Sequence, residues 1–280
     1  MRTCILTLLC LLAWTGQVCS EPSHKPIKWR ELKPGLSFAR LEATRYVRLG
    51  EPYVAAVRVD PERFRFDLAH ARQEPEGQGR NIEEWQEHTG AMVAFNPGQY
   101  DKRGVHLGLF VSHGRNWGTN LLKAWKGVFA AEPRRSDLPK AVIVDMLHSH
   151  FDMAETSYTQ VMQSLMLVDA NGRKRVQNTD NKANRTALAI DRHGRAMILC
   201  SEGAFTLWDF ASFIQESELG LVQAMNLDGG QASQLAVQVN GFRYVNYGQW
   251  FSSELGSLVL LGYRSPLPGV VTVFPRQAQR

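Results

Sequence analysis

Cysteine is the first scarcity in this chain. Of four cysteines, Cys4, Cys10 and Cys19 fall within the first twenty residues, so Cys200 stands alone in the remainder. A disulfide scaffold is therefore excluded, and the apolar setting Met197-Ile-Leu-Cys200 reads as a buried structural thiol rather than a nucleophile. Long apolar runs are scarce as well. Ile5 to Ala13 follows Arg2 and leads to the small residues of Val18-Cys-Ser20, which gives residues 1–20 the pattern of a signal peptide cut before Glu21. No later run approaches the roughly 20 apolar residues of a transmembrane helix, so the mature chain is expected to have no membrane span and to be secreted or periplasmic. A continuous basic face is missing too. With Arg2 gone the formal charge falls from +5 to +4. The remaining basic clusters, Arg134-Arg135, Arg173-Lys174-Arg175 and Arg192/Arg195, sit beside turn residues and read as solvated loops, which excludes a nucleic-acid partner.

What is present is a string of short strand-like runs separated by turn residues, without a linker or an internal repeat. Residues 21–36, with Pro22, Pro26, Pro34 and Gly35, form an extended lead-in, and residues 21–84 hold that lead-in and the first strands. Val54 to Val59 and Phe64 to Leu68 predict a first hairpin, Asn81 to His88 a short helix, and Ser257 to Tyr263 a closing strand. Thr206-Leu-Trp-Asp209 resembles a capping box, and Leu207, Phe210, Phe213 and Ile214 recur at helical spacing until Leu219-Gly220. The most informative stretch comes next: Ala224, Met225 and Leu227 form a short apolar strand that delivers Asp228 into the Gly229-Gly230 turn. Two glycines free to take positive φ bring bare N–H groups against a ligand, suited to an anion or a sugar oxygen.

Three further segments accompany that turn, in order. Met92-Val-Ala-Phe-Asn96-Pro-Gly98-Gln-Tyr100-Asp101 is an apolar strand entering Asn-x-Gly-x-aromatic, followed by Val105-His-Leu-Gly108. Gln163-Ser164 reads as a turn leading through a strand to Asn171-Gly172, and Asn184-Arg185-Thr186 opens a strand ending at Asp191, with a turn at His193-Gly194 and a return strand from Ala196 to Cys200. Together with Asn226 to Ser233, these segments resemble the phosphodiester glycosidase family, whose animal members uncover mannose 6-phosphate by removing a capping N-acetylglucosamine. The resemblance spans about residues 85–262 and makes residues 85–280 the expected family domain. It implies an α+β fold, a mixed β-sheet with helices packed on it, and a hydrolase acting on a phosphorylated carbohydrate or glycan. Two departures stand out: Gln231 and Ala232 replace the glycine and serine that members usually carry after Asp-Gly-Gly, and Pro97 stiffens the Asn96 turn.

A sugar 1-phosphodiester sets the chemical demand. Its leaving group is a phosphate monoester, so strong acid assistance matters less than a cation and N–H donors holding the phosphate as charge develops. Arg185 is the natural cation, and Asp228 the base or nucleophile at the anomeric carbon. A second carboxylate is expected at Glu202, which precedes a glycine after the strand ending at Cys200, or at Asp101. Substrate contacts are expected from Asn96, Gly98, Gln163, Thr186, Gly229, Gly230 and Ser233, Thr186 and Ser233 binding the phosphate or orienting Asp228; Trp117, Trp125, Trp208 and Trp250 are candidate sugar-stacking rings, with Trp208 favoured as core, and Asn246-Tyr247-Gly248 is a candidate wall. No cofactor and no metal are expected. Two other readings remain open: a catalytically silent glycan or glycan-phosphate binding protein, suggested by Gln231-Ala232, and a metallohydrolase centred on His148 and His150 of Asp145-Met-Leu-His148-Ser-His150-Phe-Asp152.

Overall fold

A computed structural model describes residues 26–249 and 264–277. The strands, in chain order, are β1 (Arg30–Lys33), β2 (Leu36–Glu42), β3 (Leu49–Val59), β4 (Phe64–His70), β5 (Val93–Phe95), β6 (Phe110–Ser112), β7 (Arg115–Asn116) and β8 (Gly127–Pro133). They continue with β9 (Ala141–Asp145), β10 (Tyr158–Val168), β11 (Thr186–Asp191), β12 (Ala196–Ala204), β13 (Leu221–Asn226), β14 (Gln234–Val239), β15 (Phe242–Tyr247) and β16 (Gly269–Pro275). Two α-helices, α1 (Ile82–Thr89) and α2 (Leu207–Glu216), complete the set. The larger sheet runs β1-β2-β3-β12-β11-β13-β10-β6-β7, with β8 and β9 paired onto β10, and the smaller runs β15-β14-β5-β16-β4.

The sheets stack face to face, and burial in each strand shows why. Phe64, Phe66, Leu68 and His70 of β4 are buried while the residues between them are not, the alternation of a strand with one covered face. β11 is buried at every position because both its faces are covered. The main core fills the gap between the sheets, with Val57, Leu188, Ile198 and Met225 from the larger meeting Phe66, Phe95, Leu235 and Val271 from the smaller. α2 seals the outer face of the larger sheet with Phe210, Phe213 and Ile214 against Ala187, Ala189 and Ala224. α1 seals the smaller sheet with Ile82 and Trp85 against Ala94 and Ala236. Both helices start at capping residues: Asn81 accepts from the Glu83 and Glu84 N–H groups, and Thr206 from Asp209 N–H.

Strand content dominates, and every ladder between these strands is antiparallel, so the expected mixed α+β sheet is corrected to an antiparallel β architecture with one helix on each outer face. The expected hairpin of Val54–Val59 with Phe64–Leu68 is also corrected. β3 pairs with β2 and β12, whereas β4 pairs with β16 in the other sheet. Their apolar faces meet across the core, and alternation identifies a buried face without naming the strand paired beside it. Gln163 and Ser164 lie in the middle of β10 and make no turn. The expected strand Ser257 to Tyr263 falls outside the described residues; β16 is the C-terminal strand described, seated between β4 and β5.

Candidate active site

Asp228 follows β13, which lies between β11 and β10. Its backbone is held from both sheets. Leu227 N–H donates to Thr186 O (2.8 Å) and Asp228 N–H to Pro97 O (3.0 Å). Asn96 Nδ2 donates to Asp228 O at 2.9 Å. The turn closes with Gly230 N–H on Asn184 O at 2.9 Å. Gly230 takes φ +61° with open space around its α-carbon, so conformation alone demands glycine there. Gly229 differs from expectation: its φ is −120° and ψ −171°, ordinary extended backbone. Glycine is needed at 229 for room, because a β-carbon would stand 2.9 Å from Asn184 O.

Beneath the turn lies a closed polar network. Asn96 Oδ1 accepts from Thr186 Oγ1 at 2.8 Å and from Gln234 N–H at 3.0 Å, and Asn96 Nδ2 also donates to Pro97 O at 3.1 Å. All four hydrogen-bonding positions of that amide are filled. Ser233 Oγ lies 2.7 Å from Thr186 Oγ1, and since Thr186 spends its proton on Asn96, Ser233 donates to Thr186. Cys200 Sγ adds a contact 3.6 Å from Ser233 Oγ, and burial raises its thiol pKa. Asn96, Thr186 and Ser233, expected to touch substrate, thus come together with Asp228 but are fully buried and spend their polar atoms on each other. Their geometry is that of supports for the Asp228 turn.

Arg185 is the second feature of the site. It is 7% exposed. Its Nε donates to Phe205 O at 3.1 Å, its Nη2 to Asn181 O at 2.6 Å, and its backbone N–H to Ser201 Oγ at 2.7 Å. Among the described residues no carboxylate pairs with it. Burial pulls its pKa down to about 10, which leaves it charged at neutral pH. Its remaining nitrogen, Nη1, faces the Gly229 backbone, 3.4 Å from where a β-carbon on that glycine would stand. A buried cation with no acidic partner is costly. In the residue before Gly229, burial pushes the Asp228 carboxyl up to about 6, against which the Gly229 N–H, donating to Oδ1 at 2.9 Å, works in the opposite direction.

The two carboxylates considered as partners for Asp228 are engaged elsewhere. Glu202 is gripped by the Arg40 guanidinium through Nε at 2.8 Å and accepts from Tyr244 Oη at 2.8 Å. Asp101 caps its own exposed turn, with Val105 N–H and Arg103 holding its pKa low. Gln163 clamps a loop, accepting from Leu122 N–H at 2.9 Å and donating to Leu122 O and Trp125 O. Gly98 is a packing necessity, since a β-carbon would meet His106 Nε2 at 2.7 Å. Trp208, favoured as core, is half-buried under Lys174 Nζ at 3.8 Å, and Trp250 falls outside the described residues. His148 and His150 part company: the first groups with Asp145 and Asp169, the second with exposed Asp152 and Glu155.

Three contributors appear in the sequence motifs without an assigned role at the Asp228 turn. Asn184 accepts from Gly230 N–H through its backbone and from Gln249 N–H through Oδ1 at 2.8 Å. Gly248 packs directly on the Gly230 carbonyl. Tyr100, whose phenol is raised well above its ordinary pKa by burial and by the Asp228 charge, lies on the loop leaving Asn96. Asn184 adjoins the Arg-Thr pair, Tyr100 is the aromatic of the Asn96 segment and Gly248 ends the Asn246-Tyr247-Gly248 wall; what each of them meets depends on tertiary packing.

A family model described as phosphodiester glycosidase matches residues 89–257. Among solved structures, the chain is similar to the catalytic domain of zebrafish N-acetylglucosamine-1-phosphodiester alpha-N-acetylglucosaminidase, auto-inhibited by pro-peptide, with a TM-score of 0.58 and 15% identity over 88% of this chain and 86% of that one. It is also similar to a hypothetical protein from Synechocystis, TM-score 0.54 and 15% identity, over 91% of this chain and 64% of that one. At such identities the likeness is one of fold. No curated protein matches the chain.

Proposed function

The chain belongs to the phosphodiester glycosidase family, and from that premise we propose that it is a secreted hydrolase that splits the bond between a sugar's anomeric carbon and phosphate in an envelope or extracellular glycan. The observation that carries this reading is Arg185, a buried guanidinium without a carboxylate partner among the described residues, next to the Asp228-Gly229-Gly230 turn. A phosphodiester supplies the single negative charge such a cation lacks. With Nε and Nη2 fixed by carbonyls, Nη1 is oriented before substrate arrives, which is what stabilising a developing phosphate charge requires. Asp228, ionised above about pH 6, acts at the anomeric carbon as nucleophile or as base toward water. The carbon–oxygen bond breaks, its electrons pass to the phosphate oxygen, and Arg185 neutralises the charge that accumulates there. Asn96, Thr186 and Ser233 hold the turn in register.

A second reading, a glycan-phosphate binding protein without turnover, is supported by one observation: both expected second carboxylates are engaged elsewhere, Glu202 by Arg40 and Tyr244 and Asp101 by Arg103 and Val105 N–H. Incubating the purified protein with a synthetic methyl phosphodiester of a 1-phospho sugar separates the two. Hydrolysis yields free sugar and methyl phosphate, with label from 18O-water in the sugar. Saturable binding without either product supports the silent reading.

A further inference from the structure

The histidine-rich run after β9 takes no part in the chemistry above, and the fold gives it another setting. Asp145 ends β9 and Asp169 follows the last residue of β10. On the β10–β13 ladder Leu165 pairs with Asn226 and Val168 with Ala224, so Asp169 and Asp228 lie toward opposite ends of that ladder. One ligand atom each from Asp145, His148 and Asp169 lies within 4.8 Å of the others. The two carboxylate side chains are only 3% and 1% exposed, while the His148 ring is 40% exposed and leaves a path from solvent. Asp169 Oδ2 is buried and accepts no hydrogen bond; its nearest cation, Arg175 Nε, stands 3.5 Å away. His148 Nδ1 lies 2.7 Å from Asp145 Oδ2, and Nε2 lies 2.8 Å from Asn171 Nδ2. With the Asn171 amide donating to Nε2, Nδ1 donates to Asp145 Oδ2. Asp145 also accepts from Leu147 and Ala170 N–H, whereas Asp169 Oδ2 has only the Arg175 guanidinium at 3.5 Å and no hydrogen-bond donor, and a buried carboxylate oxygen without a donor is expensive.

We propose that Asp145, His148 and Asp169 form a structural divalent-cation site, separate from Asp228, that ties the end of β9 to the turn after β10. Two carboxylates and an imidazole form a mixed oxygen and nitrogen donor set of the kind zinc takes, whereas calcium asks for six to eight oxygens. On binding, the Nδ1 proton leaves to solvent and its lone pair turns to the ion, so affinity falls as pH is lowered.

The test uses the mature protein, stripped with a chelator and titrated with zinc chloride, then calcium chloride, by calorimetry and thermal unfolding. Wild type is expected to take up about one zinc per chain, melt higher with zinc than without, and prefer zinc to calcium. His148→Gln, at a half-exposed position that preserves the fold, should weaken zinc binding more than about tenfold, and Asp169→Asn likewise. If Asp169→Asn fails to fold by circular dichroism, His148→Gln alone decides. His150→Ala and Asp228→Asn should bind as wild type does. The proposal is overturned if wild type takes up no zinc, if His148→Gln binds equally well, or if His150→Ala loses binding to the same degree. None of these outcomes bears on turnover at Asp228, so the two readings fail separately.

Discussion

At the residue scale the account rests on two charges, buried Arg185 and half-buried Asp228, that have no oppositely charged side-chain partner among the described residues. Asp228 titrates at about 6 rather than near the ordinary carboxylate value, because burial penalises its ionised form. A carboxyl raised in the folded state gives stability that is fully present below the unfolded value, near 4, and lost as pH rises through about 6. Asp228→Asn should therefore be more stable than wild type at pH 8, by up to about 3 kcal/mol, with the difference vanishing toward pH 4. Thermal melts of both proteins across that range check this; equal stability at pH 8 would mean the carboxylate is solvated or paired. Turnover by wild type should rise through the same interval, since the ionised form does the work. Arg185→Lys keeps the charge but loses the fork that spans Phe205 O and Asn181 O. The expected result is a fall in kcat of at least about tenfold, a loss of more than about 1.4 kcal/mol of transition-state stabilisation, with the fold retained. Both residues were legible in the sequence, Asp228 because an apolar strand runs into Gly-Gly and Arg185 because it opens one. A role in orienting Asp228 was open for Thr186 and Ser233 beside a phosphate contact, but the supporting role of Asn96 was not legible, since side-chain type says what a group can bond and only packing says what it meets.

At the scale of elements, the turn after β13 asks its two glycines for different things. Gly230→Ala forces a β-carbon into the left-handed region and should cost about 1–2 kcal/mol with little change in substrate affinity, because nothing crowds the position. Gly229→Ala meets no conformational barrier but pushes on Asn184 O, next to Arg185, and should damage KM and kcat more than stability. Denaturant melts together with kinetics on the two variants distinguish the cases; the reverse ranking would contradict the geometry. Sequence reading located both helices to within a residue or two at their start, because Asn81 and Thr206 cap where expected. It misplaced the Val54–Leu68 hairpin and the Gln163-Ser164 turn. Periodicity names a buried face, whereas pairing is chosen among distant strands of similar pattern, and β3 found β12 more than a hundred residues later in the chain.

At the scale of the molecule, the site exists because two sheets meet. Asn96 leaves β5 of the smaller sheet, Ser233 leads into its neighbour β14, Thr186 opens β11 of the larger sheet and Asp228 follows its β13. The hydrogen bonds among them cross between the sheets, so disturbing either layer disturbs the turn. That convergence was expected from four strand-and-turn segments in order, although sequence offered no way to assign them to two sheets. The export reading belongs to this scale as well: mass spectrometry of secreted protein should find a start near Glu21 and one free thiol, Cys200, shielded until unfolding. A mature species retaining residues 1–20 would contradict it. The central claim is that Asp228 and Arg185 form a hydrolytic pair, and the most direct measurement follows free sugar released from a 1-phospho sugar methyl diester by wild type and Asp228→Asn at pH 7.5, alongside calorimetric binding. The account predicts steady release by wild type, and for Asp228→Asn binding of similar strength with no release. Release by Asp228→Asn at the wild-type rate, on a substrate the wild type demonstrably turns over, would contradict it.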